Sequence, residues 1–187
     1  MKQFLFMYPI TQYLEFEKDK MNLDKGDSYP EIFNKIIEKR YRTKEFGINF
    51  AIFGNTEVDS RIEVKGSDKI IPVGVDLRAS DFKYPNPDYI IDQLNLKEIK
   101  HLRISGFHVY DCVEKVAKRA YERKMNVLVD EDLTNFFFSR YRNPNFKVDK
   151  YPTFNPWDVS DKKEGKIEIR RERESKPWMF QGTQQFL

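Results

Sequence analysis

The sequence predicts an α/β fold in which a central parallel sheet carries helices on both faces, making three layers. Short apolar runs alternate with stretches of helical spacing throughout residues 1–138. The apolar runs are nearly continuous, as expected for parallel strands that are buried on both faces. Hydrophobic residues make up 40% and aromatic residues 15% of the 187 residues, which is enough for a sizeable core.

Five apolar runs are the predicted strands. They cover residues 4–7, 48–53, 70–75, 101–105 and 126–129. Pro72 weakens the third run, because proline cannot donate a hydrogen bond to a sheet. The polar, alternating stretch 58–68 predicts a hairpin or an exposed excursion. In a parallel sheet of this kind, ligands bind at the carboxyl ends of the strands.

Three helices are predicted between the strands. Ser28-Tyr-Pro-Glu31 fits a capping box with proline in the first turn, and Gly47 lies just beyond the expected end. Asn86 and Pro87 begin the second helix. The third helix follows Cys112 and has apolar residues at helical spacing. These are Val113, Val116, Ala117, Ala120 and Tyr121.

Composition excludes several classes of function. The net charge of +3, with both signs mixed, argues against nucleic acid as a partner. One cysteine and two histidines exclude a disulfide framework, a multi-cysteine metal site and a three-histidine zinc site. No apolar run reaches eighteen residues, so no membrane span is predicted. The N-terminus lacks the features of a secretory signal, and an intracellular, soluble protein is the default expectation.

The character of the chain changes near residue 139, which predicts a domain over 1–138 and an extended arm over 139–187. The stretch 141–157 is rich in proline, asparagine and aromatic residues, and the stretch 166–174 alternates in charge. Trp178, Met179 and Phe180 add apolar groups near the end. We expect this arm to dock on the same subunit, on a symmetry mate, or on a different protein, as part of a homo-oligomer or a larger complex.

Cys112 is the candidate nucleophile. The first turn of a helix offers unpaired N–H groups and a positive dipole end, which favour the thiolate, whereas the neighbouring Asp111 opposes it. His108 is close enough in sequence to serve as a base, or it is a polar loop residue. The acidic run 130–132 is either a metal cluster or, more commonly, the solvated end of a strand with one residue capping the next turn.

Residues 106–120, in which Gly106 is followed six residues later by Cys112 and a helix, resemble the isochorismatase-like cysteine hydrolases, which include nicotinamidases. The next strand, ending at Asp130, continues the resemblance. It implies a three-layer, Rossmann-like fold and acyl transfer by a cysteine thiolate, with an aspartate after the first strand and a lysine near the third. It also implies a cis peptide bond near Phe107-His108, with the N–H groups of His108 and Cys112 as oxyanion donors.

The sequence departs from the family pattern at three places. Tyr8 occupies the position of the aspartate, and Asp76 stands where lysine is expected, with Arg78 nearby. The Ser-x-Phe element of the family is matched by residues 80–82. The metal-binding Asp-x-His of nicotinamidases is replaced by Gly54-Asn-Thr-Glu57, which lacks histidine.

These departures predict a catalytically degenerate member that serves as a structural or regulatory subunit, without a cofactor or a metal. The alternative is an active cysteine hydrolase of small amides or related substrates, with Cys112 as nucleophile and His108 as replacement base. A crevice filled by Tyr8 favours the first function. An open pocket with His108 in reach of Cys112 favours the second.

Overall fold

A five-stranded, all-parallel sheet forms the centre of the protein. The computed structural model describes residues 1–20, 28–77, 83–94, 101–130, 133–134 and 175–179. The strands are β1 (Lys2–Met7), β2 (Phe46–Ile52), β3 (Lys69–Pro72), β4 (His101–Gly106) and β5 (Asn126–Val129). Their order in the sheet is β3-β2-β1-β4-β5, so β1 lies at the centre. The predicted α/β fold class is confirmed.

Strand β3 is shorter than predicted. The apolar run continues to Val75, but the strand ends at Pro72. Val73 still donates a 2.8 Å hydrogen bond to the Ile52 carbonyl, and the chain then turns at Gly74, where φ is +73°. This left-handed conformation suits glycine and takes the chain out of the sheet.

Four α-helices are described: α1 (Thr11–Lys20), α2 (Ser28–Ile36), α3 (Pro87–Gln93) and α4 (Glu114–Glu122). The start of α3 follows the predicted signal, because the Asn86 side chain accepts a 2.9 Å hydrogen bond from the Asp88 N–H. The helix α1 was not predicted. Its sequence has charged residues around most of its circumference, and only Leu14 among its described residues is fully buried. Tertiary packing of that residue stabilises a helix that periodicity alone does not reveal.

Apolar side chains fill both faces of the sheet, which confirms the three layers. One cluster joins the sheet to α3 and α4, and the other joins it to α1 and α2. The first includes Leu5, Met7, Ile90, Ile104, Val116 and Ala120. The second includes Phe4, Phe6, Leu14, Phe33, Ile36 and Phe50. Side chains alternate between the faces along β1, as strand geometry requires.

The stretch between β2 and β3 is an excursion without strands, as one of the two sequence interpretations expected. Asp59 anchors this excursion and is buried, although the next two residues are exposed. The Asp59 N–H bonds to the Pro9 carbonyl at 2.8 Å, and its carboxylate accepts three hydrogen bonds of 2.9 Å from Arg61. The excursion is therefore tied to the start of α1, beside the carboxyl end of β1.

Residues 175–179, the described part of the predicted arm, pack on this same chain against α4 and β5. The remainder of the arm lies outside the described residues, so the domain division and a docking site on a partner stay predictions. No helix among the described residues combines the length and the apolar character that crossing a bilayer requires.

Candidate functional site

The site predicted around Cys112 lies where β1, β2 and β4 end. Tyr8 directly follows β1, Phe53 directly follows β2, and Cys112 lies six residues beyond Gly106 at the end of β4. Because the three strands are parallel neighbours, their carboxyl ends bring these residues to one edge of the sheet.

Gly106 permits the close approach of β4 to β1 at this edge. Its φ is +117°, and a Cβ atom there would lie 2.1 Å from the Met7 carbonyl oxygen. No side chain fits at that distance. Glycine is therefore required at the point where the chain leaves the sheet for the cysteine.

Cys112 lies in a kinked helical turn, the Cys112 turn (Val109–Val113), which precedes α4. Tyr110 and Asp111 have non-helical backbone angles, and the N–H groups of Asp111 and Val113 both donate to the His108 carbonyl at 3.2 Å. The thiol is therefore held just ahead of α4 rather than within its regular first turn.

The environment of Cys112 favours the neutral thiol. Burial raises the pKa of the Cys112 thiol to about 11, and the negative charge of Asp111 contributes to this increase. The Tyr8 hydroxyl and the Lys115 ammonium group act in the opposite direction. Lys115 is itself engaged by Asp111 at 2.5 Å. Burial and Asp111 thus oppose the thiolate that the helix terminus is expected to favour, and Cys112 as a nucleophile stays a prediction.

Tyr8 fills the centre of the site. Its side chain is completely buried, and its ring stacks on Phe53 with 4.3 Å between centroids and 15° between planes. Tyr13 packs edge-on against both rings at 6.0 Å. A buried phenol ring thus stands where the family resemblance places an aspartate.

The Tyr8 hydroxyl lies beside the Cys112 thiol. It makes no hydrogen bond of ordinary length and angle to any described residue. Burial raises the pKa of Tyr8 well above its usual range, and the neighbouring Cys112 raises it further. A phenol with so high a pKa stays protonated at neutral pH and cannot take a proton from the thiol as a carboxylate does.

Tyr13 of α1 is a residue of the site that the sequence interpretation missed. Its ring also lies 6.2 Å from the Phe107 ring, and burial raises its pKa to about 12, with Cys112 and Asp111 adding to the effect. No motif marks this tyrosine. Only the prediction of α1 would have placed it near the cysteine.

His108 follows a cis peptide bond. That bond joins Phe107 to His108, as the family resemblance predicted. The half-buried His108 ring lies 5.2 Å from the Tyr13 ring. Its role as a replacement base, and the roles of the His108 and Cys112 N–H groups as oxyanion donors, stay predictions.

Asp76 lies at the neighbouring edge of the site, after β3. Its side chain is exposed, and its carboxylate oxygen would be 2.8 Å from a Cβ atom added at Gly54. The Gly54 N–H bonds to the Val75 carbonyl at 2.8 Å, which holds the two strand ends together. Arg78 and the predicted element 80–82 lie outside the described residues.

The residues after β2 do not suit a metal site. The Asn55 side chain accepts a 2.9 Å hydrogen bond from the Leu77 N–H, and the Thr56 hydroxyl donates to the Phe53 carbonyl at 3.0 Å. Neither histidine nor cysteine is present there. Across the described residues, no group of three or more His, Cys, Asp or Glu side chains could hold an ion.

Asp130 has a structural role, and the expectation of a solvated strand end is wrong for it. Only 1% of it is exposed, and both carboxylate oxygens accept hydrogen bonds from Arg40 at 2.8 and 2.9 Å. The Tyr41 hydroxyl donates to the same carboxylate. Glu131 and Asp132 lie outside the described residues.

Comparison with solved structures agrees with this architecture. A pyrazinamidase of Pyrococcus horikoshii, solved in complex with zinc, superposes with a TM-score of 0.53 and 12% identity, over 97% of this chain and 99% of that one. A candidate isochorismatase from Burkholderia xenovorans LB400 gives a TM-score of 0.50 and 10% identity, over 92% and 98% of the two chains.

Comparison of the sequence with protein families and with curated proteins finds no relative. No protein-family model matches the chain, and no curated protein matches it significantly. At 10–12% identity, the solved structures establish the fold and not the activity. The chain has the isochorismatase-like α/β fold.

Proposed function

We propose that this protein is a catalytically degenerate isochorismatase-like protein that serves as a structural or regulatory subunit of an oligomer or a larger assembly. The observation that carries the proposal is the completely buried Tyr8 ring, stacked on Phe53 beside Cys112. We expect this ring to obstruct the approach of a substrate acyl group to the thiol.

Three further features support the loss of catalysis. Burial raises the pKa of the Cys112 thiol to about 11, above its ordinary value, which disfavours the thiolate that acyl transfer needs. The family's aspartate and lysine positions hold Tyr8 and Asp76. Losing such partners typically reduces the rate by several orders of magnitude.

The chemistry is tested by the rate of Cys112 alkylation as a function of pH. The chain has one cysteine, so the signal has a single source. We expect labelling at pH 8 to be about a hundredfold slower in the native protein than in the denatured protein, because the native pKa lies far above the usual value near 8.5. Fast native labelling with an apparent pKa below 8 would contradict the proposal.

A second assay tests turnover directly. Hydrolysis of a panel of small aliphatic and heteroaromatic amides is followed for the wild type and for Cys112→Ala as the matched control. Equal background rates support the proposal, and hydrolysis that Cys112→Ala abolishes establishes an enzyme.

The assembly role is tested by light scattering on the purified 187-residue chain, and by crosslinking in its native extract. We expect a mass that is a multiple of the monomer, or a stoichiometric complex with one other protein. A monomer in both experiments removes the subunit part of the proposal.

The alternative function is an active cysteine hydrolase with His108 as base. It is favoured by the placement of His108 and Cys112 at the same edge of the sheet, both within the group of side chains around Tyr13. This alternative predicts that His108→Ala and Cys112→Ala both abolish hydrolysis of the active amide. Hydrolysis that is lost with Cys112→Ala and kept with His108→Ala assigns no base role to His108.

A further inference from the structure

Residues 175–179 follow one face of the helix that begins after Cys112. Lys176 Nζ lies 2.8 Å from a carboxylate oxygen of Glu114, at the first residue of α4. Further along α4, the Trp178 ring lies 5.6 Å from the Tyr121 ring. Positions 114 and 121 are seven residues apart and share one helix face, so the side chains of the segment contact α4 at two positions about two turns apart.

The same residues close the outer side of β5. The Val129 N–H donates a 3.2 Å hydrogen bond to the Trp178 carbonyl, on the edge of β5 that faces away from β4. Met179 is completely buried in the apolar cluster between the sheet and α4. A 2.9 Å hydrogen bond from the Met179 N–H to the Lys176 carbonyl fixes the turn between these anchors.

Lys176 also connects the segment to the Cys112 turn. Its ammonium group lies 5.4 Å from the centre of the Tyr110 ring, within cation–π range. Tyr110 lies within the turn, and Glu114 directly follows it. A single side chain from residues 175–179 thus contacts the chain on both sides of Cys112.

The turn itself depends on such outside contacts. Tyr110 and Asp111 leave the helical region of the backbone, so the turn lacks a regular helical ladder of hydrogen bonds. Packing from neighbouring segments must therefore restrain it, and local opening is easiest where few such contacts exist.

We propose that residues 175–179 form a strap that restrains the Cys112 turn, so that access to the Cys112 thiol depends on whether the strap is docked. Undocking removes the Lys176 contacts on both sides of the cysteine and the Met179 anchor in the core. A partner that binds the strap and undocks it would therefore expose the thiol. A strap that stays docked on α4 keeps the thiol shielded.

The test combines a charge reversal with its compensating partner. Lys176→Glu places a carboxylate opposite Glu114, whereas Lys176→Glu with Glu114→Lys restores the ion pair with exchanged charges. We expect the single variant to speed native alkylation of Cys112 at pH 8 about tenfold, as for a locally opened segment, and the double variant to return most of the way to wild type.

Strap undocking is measured independently by Trp178 fluorescence in a Trp157→Phe background, since the chain has two tryptophans. Lys39→Glu is the matched control, because it makes the same charge change at an exposed position on the other side of the sheet. It should leave both the alkylation rate and the fluorescence unchanged. Met179→Asp is a second route to undocking, because it removes the buried anchor.

The strap proposal is wrong if Trp178 fluorescence shows undocking in Lys176→Glu or Met179→Asp while Cys112 is still alkylated at the wild-type rate. It is equally overturned if neither Lys176→Glu nor Met179→Asp undocks the segment. Circular dichroism and a cooperative thermal transition establish that each variant is folded. If the alkylation rate of Cys112 in every variant equals that expected from global unfolding alone, the strap proposal is also wrong.

Discussion

Tyr8 is the residue that carries the proposed function. Its backbone has φ near +60°, which is uncommon for a bulky side chain, and its buried hydroxyl lacks an ordinary hydrogen bond among the described residues. Both features cost stability, and stacking on Phe53 opposes that cost. Such costs are tolerated where a residue serves a specific purpose, and in the proposed function that purpose is to fill the site beside Cys112.

Tyr8→Phe keeps the ring and removes the hydroxyl. We expect the free energy of unfolding to stay equal or rise by up to about 1 kcal/mol, because an unsatisfied buried donor is lost. The pKa of Cys112 should rise further, since the Tyr8 hydroxyl lowers it. Denaturant unfolding and pH-dependent alkylation measure the two effects.

Tyr8→Ala serves as the contrasting variant, because it removes the ring as well. Its expected cost is about 3–5 kcal/mol, as for other large aromatic side chains removed from a core. Equal stability of the Ala and Phe variants would show that the ring does not fill the site.

Gly106 supports a second prediction at the scale of a single residue. Gly106→Ala places a Cβ atom 2.1 Å from the Met7 carbonyl oxygen at a φ of +117°, so we expect no cooperatively folded protein. Gly66→Ala is the matched control. Nothing lies within 4 Å of its added Cβ, and its melting temperature should match that of the wild type. Normal folding of Gly106→Ala, measured by thermal unfolding, would refute the close approach of β4 to β1.

Among the structural elements, the excursion between β2 and β3 has the clearest electrostatic anchor. The Asp59 side chain is 2% exposed, and hydrogen bonds from Arg61 are the main cause that lowers its pKa below the ordinary value of 3.8. A carboxyl with a lowered native pKa stabilises the fold above its unfolded pKa and loses that contribution as the pH falls through the native pKa.

Asp59→Asn should therefore lower the free energy of unfolding by roughly 2 kcal/mol at pH 7, because charged hydrogen bonds to Arg61 are lost. The difference from wild type should hold at pH 5 and shrink as the pH falls below 3.8. Denaturant titrations across this range measure it. Glu15→Gln is the control, because its pair with Arg61 is exposed and should cost less than about 1 kcal/mol. A pH-independent difference would refute the ionic role of Asp59.

Across the whole molecule, the buried ion pair between Arg40 and Asp130 joins two layers. Arg40 comes from the helical turn after α2, and Asp130 directly follows β5, which belongs to the sheet. The side chains are 5% and 2% exposed. The pair therefore fixes the position of the helical turn after α2 relative to the end of β5.

Arg40→Met removes the cation that donates to both oxygens of the buried Asp130 carboxylate, so we expect a loss of about 3–5 kcal/mol in stability. In Arg40→Met combined with Asp130→Leu, the buried Arg103 also loses a nearby carboxylate. We therefore expect the double variant to lose less stability than the sum of the two single variants, because both members of the pair are removed together. Urea unfolding of the two single variants and the double variant measures the coupling. Additive losses would mean that the pair does not act as a unit.

The sequence by itself determined much of this protein. Continuous apolar runs predicted the five parallel strands, and β5 has the predicted bounds. The resemblance around Cys112 predicted the cis bond before His108. Strand periodicity and glycine positions are local properties, and buried parallel strands leave few other arrangements.

Only the tertiary structure decided the chemistry of the site. The helix α1 has weak periodicity, so its Tyr13 could not be placed beside Cys112 from the sequence. The acidic run at 130–132 indicated a solvated strand end for Asp130. The sequence does not show that Arg40, ninety residues earlier, lies 2.8 Å from its carboxylate. The pKa of the Cys112 thiol depends on burial and on groups from separate elements, which only the assembled fold brings together.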